Sequence, residues 1–333
     1  MAGADPKSGK ASERAWLTVV VFDGRGGVRR LTAEEAERAY EVPAKGFVLI
    51  SGGARAPEFK VWLREELGAF ASETLSVPST RTRCVVLDDK AMVVLRVARP
   101  GAQPDDVGRQ LLSLWLEKGK VIISSELNIP DFLGISQWQQ SHHAPVSPAD
   151  LVARLGLRAA DRLEPLIEQL GDRLDDIEEG LMAEHGQEVR AKLAPLRRNL
   201  ISFRRLIWPQ RDVLNTLEIE DLSFFTARDR LRLREASARS ARLGDELQAM
   251  SERAVLVHEQ ILDTRAEQMN NIMLLLTAVT VILLPLTVIS GILGMNVAGI
   301  PYADNPHAFW VVVALLAVIG AAIYFGMRKA KWL

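Results

Sequence analysis

The stretch IMLLLTAVTVILLPLTVISGILGMNVAGIP, residues 272–301, decides how the chain is built. No charged side chain interrupts residues 272–293. About 20 apolar residues wound as a helix span the hydrocarbon core of a bilayer. The run then breaks at Gly294-Met295-Asn296, and the first acid beyond it is Asp304. A second uncharged run, AFWVVVALLAVIGAAIYFGM, occupies residues 308–327. Together they predict two transmembrane helices joined by a short link, 294–307. A buried hairpin in a soluble domain is the competing interpretation.

Lys and Arg orient the pair. The link has neither, whereas Arg253 and Arg265 precede the first span and Arg328, Lys329 and Lys331 follow the second. Cationic flanks stay on the cytoplasmic side. Both termini are therefore expected in the cytoplasm, the link outside, and Trp310 and Trp332 at the interfaces.

The chain has 333 residues, 48% of them hydrophobic, and a formal net charge of −1. No overall basic field points to nucleic acid. A single cysteine, Cys84, excludes an internal disulfide and a Cys-rich zinc site. Residues 1–13 lack the apolar core of a signal peptide and read as a disordered tail. The SGKAS run near the start is no phosphate loop, because the first glycine is misplaced and Ala11 stands where a magnesium-binding hydroxyl belongs.

Residues 14–146 read as a cytoplasmic α/β domain. AWLTVVVF (15–22), GFVLI (46–50), RCVVL (83–87), AMVVLRVA (91–98) and KVIIS (120–124) are short, β-rich runs between turn residues. Gly24, Gly26 and Gly27 mark a turn, and 57–68 predicts a helix from Pro57 to Gly68. Residues 103–119 fit a turn followed by either a helix or a strand. No Gly-rich nucleotide loop, HExxH or nucleophile elbow occurs, so no catalytic constellation points to an enzyme. His142 and His143 are candidate metal ligands, although adjacent side chains diverge and a turn role competes. Asp88, Asp89, Asp105 and Asp106 suit turns, or a sensing ion between subunits.

Residues 147–271 predict a helical stalk. Ser147 is placed as N-cap with Pro148 at the first helical position. A second helix covers roughly 186–215, and a third opens with a capping box of Thr226 and Asp229. From there to Leu293 the only proline is Pro285. A helix that long outruns the bilayer and needs neighbours along its length.

Alternating steps of three and four along it pick out Glu252, Leu256, Glu259, Asp263, Ala266, Asn270, Met273, Thr277, Thr280, Leu284, Thr287 and Gly291. That spacing is one face of a helix in a left-handed bundle. Two interpretations fit. The threonines are helix contacts bonded to their own carbonyls; or the face lines an aqueous path, with Glu259 and Asp263 attracting cations at its inner mouth. Two helices cannot enclose a pore, so the second interpretation demands a cyclic oligomer.

A charged helix running into LLPLTVISGILGMN, a short loop, a second span and the basic tail RKAKWL resemble the CorA superfamily of divalent-cation transporters. The resemblance extends over the chain and is strongest from about Ile207, through PQRDVLNTL and RAEQMNNIM. It implies an α+β membrane protein assembled as a homopentameric funnel in a bacterial inner membrane. It also implies a selectivity filter of Gly294, Met295 and Asn296, and a pore wall of Thr287, Leu284, Thr280, Thr277, Met273 and Asn270. Magnesium-transporting members resemble one another in an acid soon after the triplet. VAGIP, at 297–301, instead resembles the zinc-transporting ZntB branch. Zinc transport is the implied function, with nickel, cobalt and cadmium as competitors, lipid and further copies as partners, and no cofactor. Coupling to protons is implied too, with Glu259, Asp263 and the outer-loop His307 as titratable candidates beside Asp304. A magnesium, cobalt or nickel channel is the alternative; a membrane-anchored signalling scaffold is a third, of another class.

The proposed wall holds no zinc ligand within the membrane, so the ion is expected to pass largely hydrated. Cobalt hexaammine, whose ligand shell stays on, should therefore bind or block. A flux assay in which it does neither removes the hydrated-passage interpretation.

Overall fold

The computed structural model describes residues 17–32, 35–36, 42–76, 81–183, 186–295, 300, 305 and 307–330. The chain divides into two units, residues 1–184 with 188–255, and residues 185–187 with 256–333.

The first unit is built on a seven-stranded sheet in the order β2-β1-β3-β7-β6-β5-β4. The strands are β1 Leu17–Phe22, β2 Val28–Arg30, β3 Phe47–Gly52, β4 Arg83–Leu87, β5 Lys90–Ala98, β6 Arg109–Glu117 and β7 Lys120–Ser124. β3 and β7 pair in parallel, and the other neighbours are antiparallel. Five strands fall where β-branched runs predict them. Residues 103–119 resolve as a turn followed by β6, because its alternate side chains fill both faces of the sheet. The short β2 was not predicted. Asp23 sets its hairpin by accepting from the Arg25 and Gly27 backbone N–H groups at 2.7 and 2.8 Å. Those bonds, led by the one from Arg25, hold the Asp23 carboxyl below its ordinary range. Gly26 adopts φ 102°, and a Cβ there would lie 2.4 Å from the His142 carbonyl oxygen.

Helix α1, Pro57–Ser76, covers one face. Its Phe59, Leu63, Ala71 and Leu75 share a core with Val19, Val48, Ile50, Met92, Trp115 and Ile122. Gly68, expected to end this helix, instead breaks it at φ 81°, and the chain resumes helically beyond. Short α2 (Ile129–Leu133) and α3 (Ile135–Ser141) follow the sheet. Three long helices come next: α4 Pro148–Ala183, α5 Gly186–Ile219 and α6 Ala227–Leu293. The opposite sheet face packs into one core with Leu151, Val152 and Leu155 of α4, Leu214 and Leu217 of α5, and Leu233 and Ala236 of α6. Cys84 lies partly buried at the edge of this core, where desolvation and the nearby Glu220 charge push its thiol up to about 12.

Both predicted caps form, and they interlock. Ser147 Oγ accepts from the Asp150 N–H at 3.0 Å, while Asp150 accepts from the Val146 N–H at 3.0 Å. Thr226 Oγ1 accepts from the Asp229 N–H at 3.2 Å, and Asp229 accepts from the Thr226 N–H at 2.9 Å. Ser147 Oγ in turn donates to Asp229 Oδ1. Asp150, 0% exposed, also pairs with Arg154 at 3.0 Å and with Arg232 of α6. Each helix start thus satisfies its own orphan N–H groups and is tied to the other.

The second unit holds the rest of α6 and helix α7, Ala308–Lys329. Both carry a stretch long and apolar enough to cross a membrane.

Removing one partner of a buried ion pair strands the other charge, at about 3–5 kcal/mol. Asp150→Ala should lower the midpoint of thermal unfolding markedly. Asp150→Asn, which retains a cap acceptor, should lower it less. Circular dichroism of the purified full chain checks the order.

Candidate ion pathway

Within the second unit, α6 shows two opposite faces. Ala278, Ile282, Pro285, Leu286, Ile289 and Leu293 are buried or half-buried. On α7 the matching row is Ala308, Val312, Leu316, Ile319, Gly320, Ile323 and Met327. Gly320 marks their approach, since a Cβ there would stand 3.6 Å from Leu286 Cδ1. Small residues at such crossings let transmembrane helices come close.

The row Asn270, Met273, Thr277, Thr280, Leu284, Thr287 and Gly291 is exposed throughout. At 3.6 residues per turn, its centre lies roughly 180° around α6 from the face against α7. The same exposed row continues through Asp263 and Glu259. Arg265 lies well away from that line. Between Leu262 and Thr277 every α6 residue is exposed, including Ile272, Leu274, Leu275 and Leu276. The exposed apolar part of this stretch, from Ile272 to Leu276, is suited to lipid and further protein.

Each threonine hydroxyl donates to the carbonyl four residues back. The distances are 2.7 Å from Thr277 to Met273, 2.8 Å from Thr280 to Leu276 and 2.8 Å from Thr287 to Leu283. The geometry is that of the first interpretation, with each hydroxyl bonded to its own helix. The proton is spent on the helix, and the oxygen lone pairs stay open on the exposed side. An acceptor-only surface suits a hydrated cation, whose water protons point outward.

At the end of α6 the Gly294 N–H bonds to the Ser290 carbonyl at 2.9 Å, and Met295 is 54% exposed. A Cβ on Gly294 would come within 3.2 Å of the Ser290 oxygen, so the glycine permits the close turn. Asn296 and Asp304 lie outside the described residues. His307 precedes α7 with its ring exposed and makes no side-chain cap; its N–H bonds to Asn305 Oδ1 at 2.9 Å.

Of the other acids and histidines named from sequence, Asp89, Asp105, Asp106 and His143 are engaged locally, while Asp88 holds φ 52° in the turn between β4 and β5. His142, at φ 54°, ends α3, and His143 Nδ1 meets the Ser141 carbonyl at 2.6 Å. Among the described residues, no group of three His, Cys, Asp or Glu side chains converges to hold a metal. Asp89 accepts from the Ser223 hydroxyl and, at 2.7 Å, from its N–H; these bonds lower its carboxyl. Asp105 takes Arg173 and Asn199, each at 2.8 Å, and is lowered chiefly by Arg173. Asp106 pairs with Arg99 at 2.6 Å. The row facing α7 was not recognised in the sequence, although small and β-branched residues at spacings of three and four carry its signal.

A charged soluble unit followed by two apolar helices defines a membrane protein with its polar bulk at one end of the chain. The family model described as "CorA-like Mg2+ transporter protein" matches residues 58–329, and the chain belongs to that family. It is 30% identical to the divalent cation transporter CmaX of Pseudomonas aeruginosa, over 96% of this chain and 98% of that one. It is 26% identical to the zinc transport protein ZntB of Yersinia pseudotuberculosis, over 94% of each. The solved full-length CmaX structure superposes with a TM-score of 0.75 at 28% identity, covering 95% of this chain and 97% of that one. The CorA magnesium transporter of Methanocaldococcus jannaschii does so with 0.79 at 22% identity, covering 96% and 99%. The α+β architecture with two terminal apolar helices is thus that of CorA-family proteins.

The α6–α7 contact yields a graded expectation. Gly320→Ala adds a methyl at ordinary contact distance and should be tolerated. Gly320→Leu should push the helices apart, at about 1–3 kcal/mol, and lower the unfolding midpoint in detergent.

Proposed function

We propose that this chain carries divalent zinc across a bacterial inner membrane through a central pore lined by α6 of a homopentamer. The observation that carries the proposal is the exposed row of α6 that bears Asn270, Thr277, Thr280 and Thr287, set opposite the face that α7 covers. In a cyclic assembly that row turns to the axis and α7 to the lipid. The five-fold symmetry follows the CorA resemblance. The long exposed stretch of α6 supports assembly with further copies. The Lys and Arg flanks support cytoplasmic termini.

Zinc is favoured over magnesium by the ZntB relatives and by the acid-free VAGIP segment after the Gly294-Met295-Asn296 filter. The family description favours magnesium as the second reading. The membrane potential supplies about 2.3 kcal/mol per charge per 100 mV for inward movement. Proton coupling would use Glu259, Asp263 or His307. Nickel, cobalt and cadmium compete because a hydrated ion is sorted by charge and size, and Asp263 and Glu259 concentrate cations of any kind.

The test is zinc and magnesium flux into proteoliposomes, with pH gradient and voltage set independently. Zinc flux should exceed magnesium flux. The reverse order replaces zinc by magnesium, flux of neither ion supports a scaffold, and indifference to the pH gradient removes coupling. Thr280→Val with Thr287→Val replaces two rings of acceptors by methyl groups. At about 1 kcal/mol per lost hydrogen bond, flux should fall roughly tenfold or more, and the serine pair should keep most of it.

A further inference from the structure

The first unit carries a cleft of about 350 Å3 beyond the carboxyl ends of β3 and β7. These are the parallel pair of the sheet, and ligands of α/β sheets gather in such crevices. Four adjacent elements of the order β2-β1-β3-β7 each give it one polar side chain: Arg30, Thr18, Ser51 and Ser125. Register places them on one face. Arg30 lies opposite Val20, Thr18 opposite Ser51, and Ser51 opposite Ile123. Ser125 follows two residues after Ile123, and its N–H extends the ladder to the Gly52 carbonyl at 3.0 Å. Val20, Leu49 and Ile123 on that face belong to the apolar core. The polar row begins where that core stops.

Ser51 is 6% exposed, lines the cleft, and has no hydrogen-bond partner among the described residues. Its hydroxyl opens onto the cleft and is free to donate to and accept from an arriving ligand. Arg30 is likewise without an acid partner among the described residues, whereas its neighbour Arg29 pairs with Glu35 at 2.6 Å. The far end is different in character. Ser125 Oγ is already used, donating to the Leu111 carbonyl at 2.7 Å. Glu126 at the rim accepts from the Arg55 N–H at 2.9 Å and keeps further acceptor capacity. The row therefore runs from a cation to a carboxylate across three strand spacings, about 14 Å.

We propose that this cleft binds an elongated, hydroxylated organic phosphate of nucleoside-monophosphate size. Its phosphoryl group meets Arg30, Thr18 and Ser51, and its hydroxyl-bearing end meets Glu126. The unit thus senses a soluble metabolite, a role separate from ion passage. A bare phosphate ion would fill only one end.

Titration calorimetry of the full chain in detergent, with adenosine 5′-monophosphate, ribose 5-phosphate and inorganic phosphate as probes, decides the matter. At least one organic phosphate should bind, and inorganic phosphate should bind more weakly. Arg30→Ala should weaken binding roughly tenfold or more, the loss of one charge-assisted contact. Ser51→Val should do the same by placing methyl groups in the cleft. Arg29→Ala, on the other face of the same strand, should leave affinity unchanged. Absence of binding by both organic probes, or equal affinity in Arg30→Ala and wild type, overturns the site. Equal affinity for inorganic phosphate overturns the elongated ligand.

Discussion

Everything in the second unit depends on a helix having only one partner for its backbone in hydrocarbon, namely itself. No water is available there, so α6 must close its own ladder. The same rule governs its side chains. Thr277, Thr280 and Thr287 send their hydroxyl protons to carbonyls four residues back. What remains on the outside is a line of oxygens that only accept. A helix with apolar Leu286 and Ile289 on one side and such a line on the other already has an inside and an outside.

The first unit rests on a different device. The starts of α4 and α6 are distant in sequence, yet their capping boxes are joined by the Ser147–Asp229 hydrogen bond and the Asp150–Arg232 ion pair. Helix starts leave N–H groups that must be satisfied. Here one cluster satisfies two starts, and the sheet core closes over it. Asp89 and Asp105 extend this logic. Each acid joins a turn of the sheet region to a helix or helix connection, to Ser223 in one case and to Arg173 and Asn199 in the other.

Much of this was legible in the residues. The two spans, five strands, both caps and the polar row follow from composition or from spacing within one element. What escaped was set by partners elsewhere. Residues 103–119 are ambiguous alone and become a strand because β5 and β7 flank them. Gly68 reads as a stop, but α1 resumes because Ala71 and Leu75 still find the core. The Asn296 and Asp304 positions, legible only by resemblance, lie outside the described residues.

The sequence by itself determined that this is a membrane protein with two C-terminal spans, and which residues of the first share a face, because period and charge are local properties of a chain. Tertiary structure alone decided which face of α6 its neighbour covers, and that Arg30, Thr18, Ser51 and Ser125 form one row. Those facts depend on register and contact between segments far apart in sequence, which no local pattern encodes.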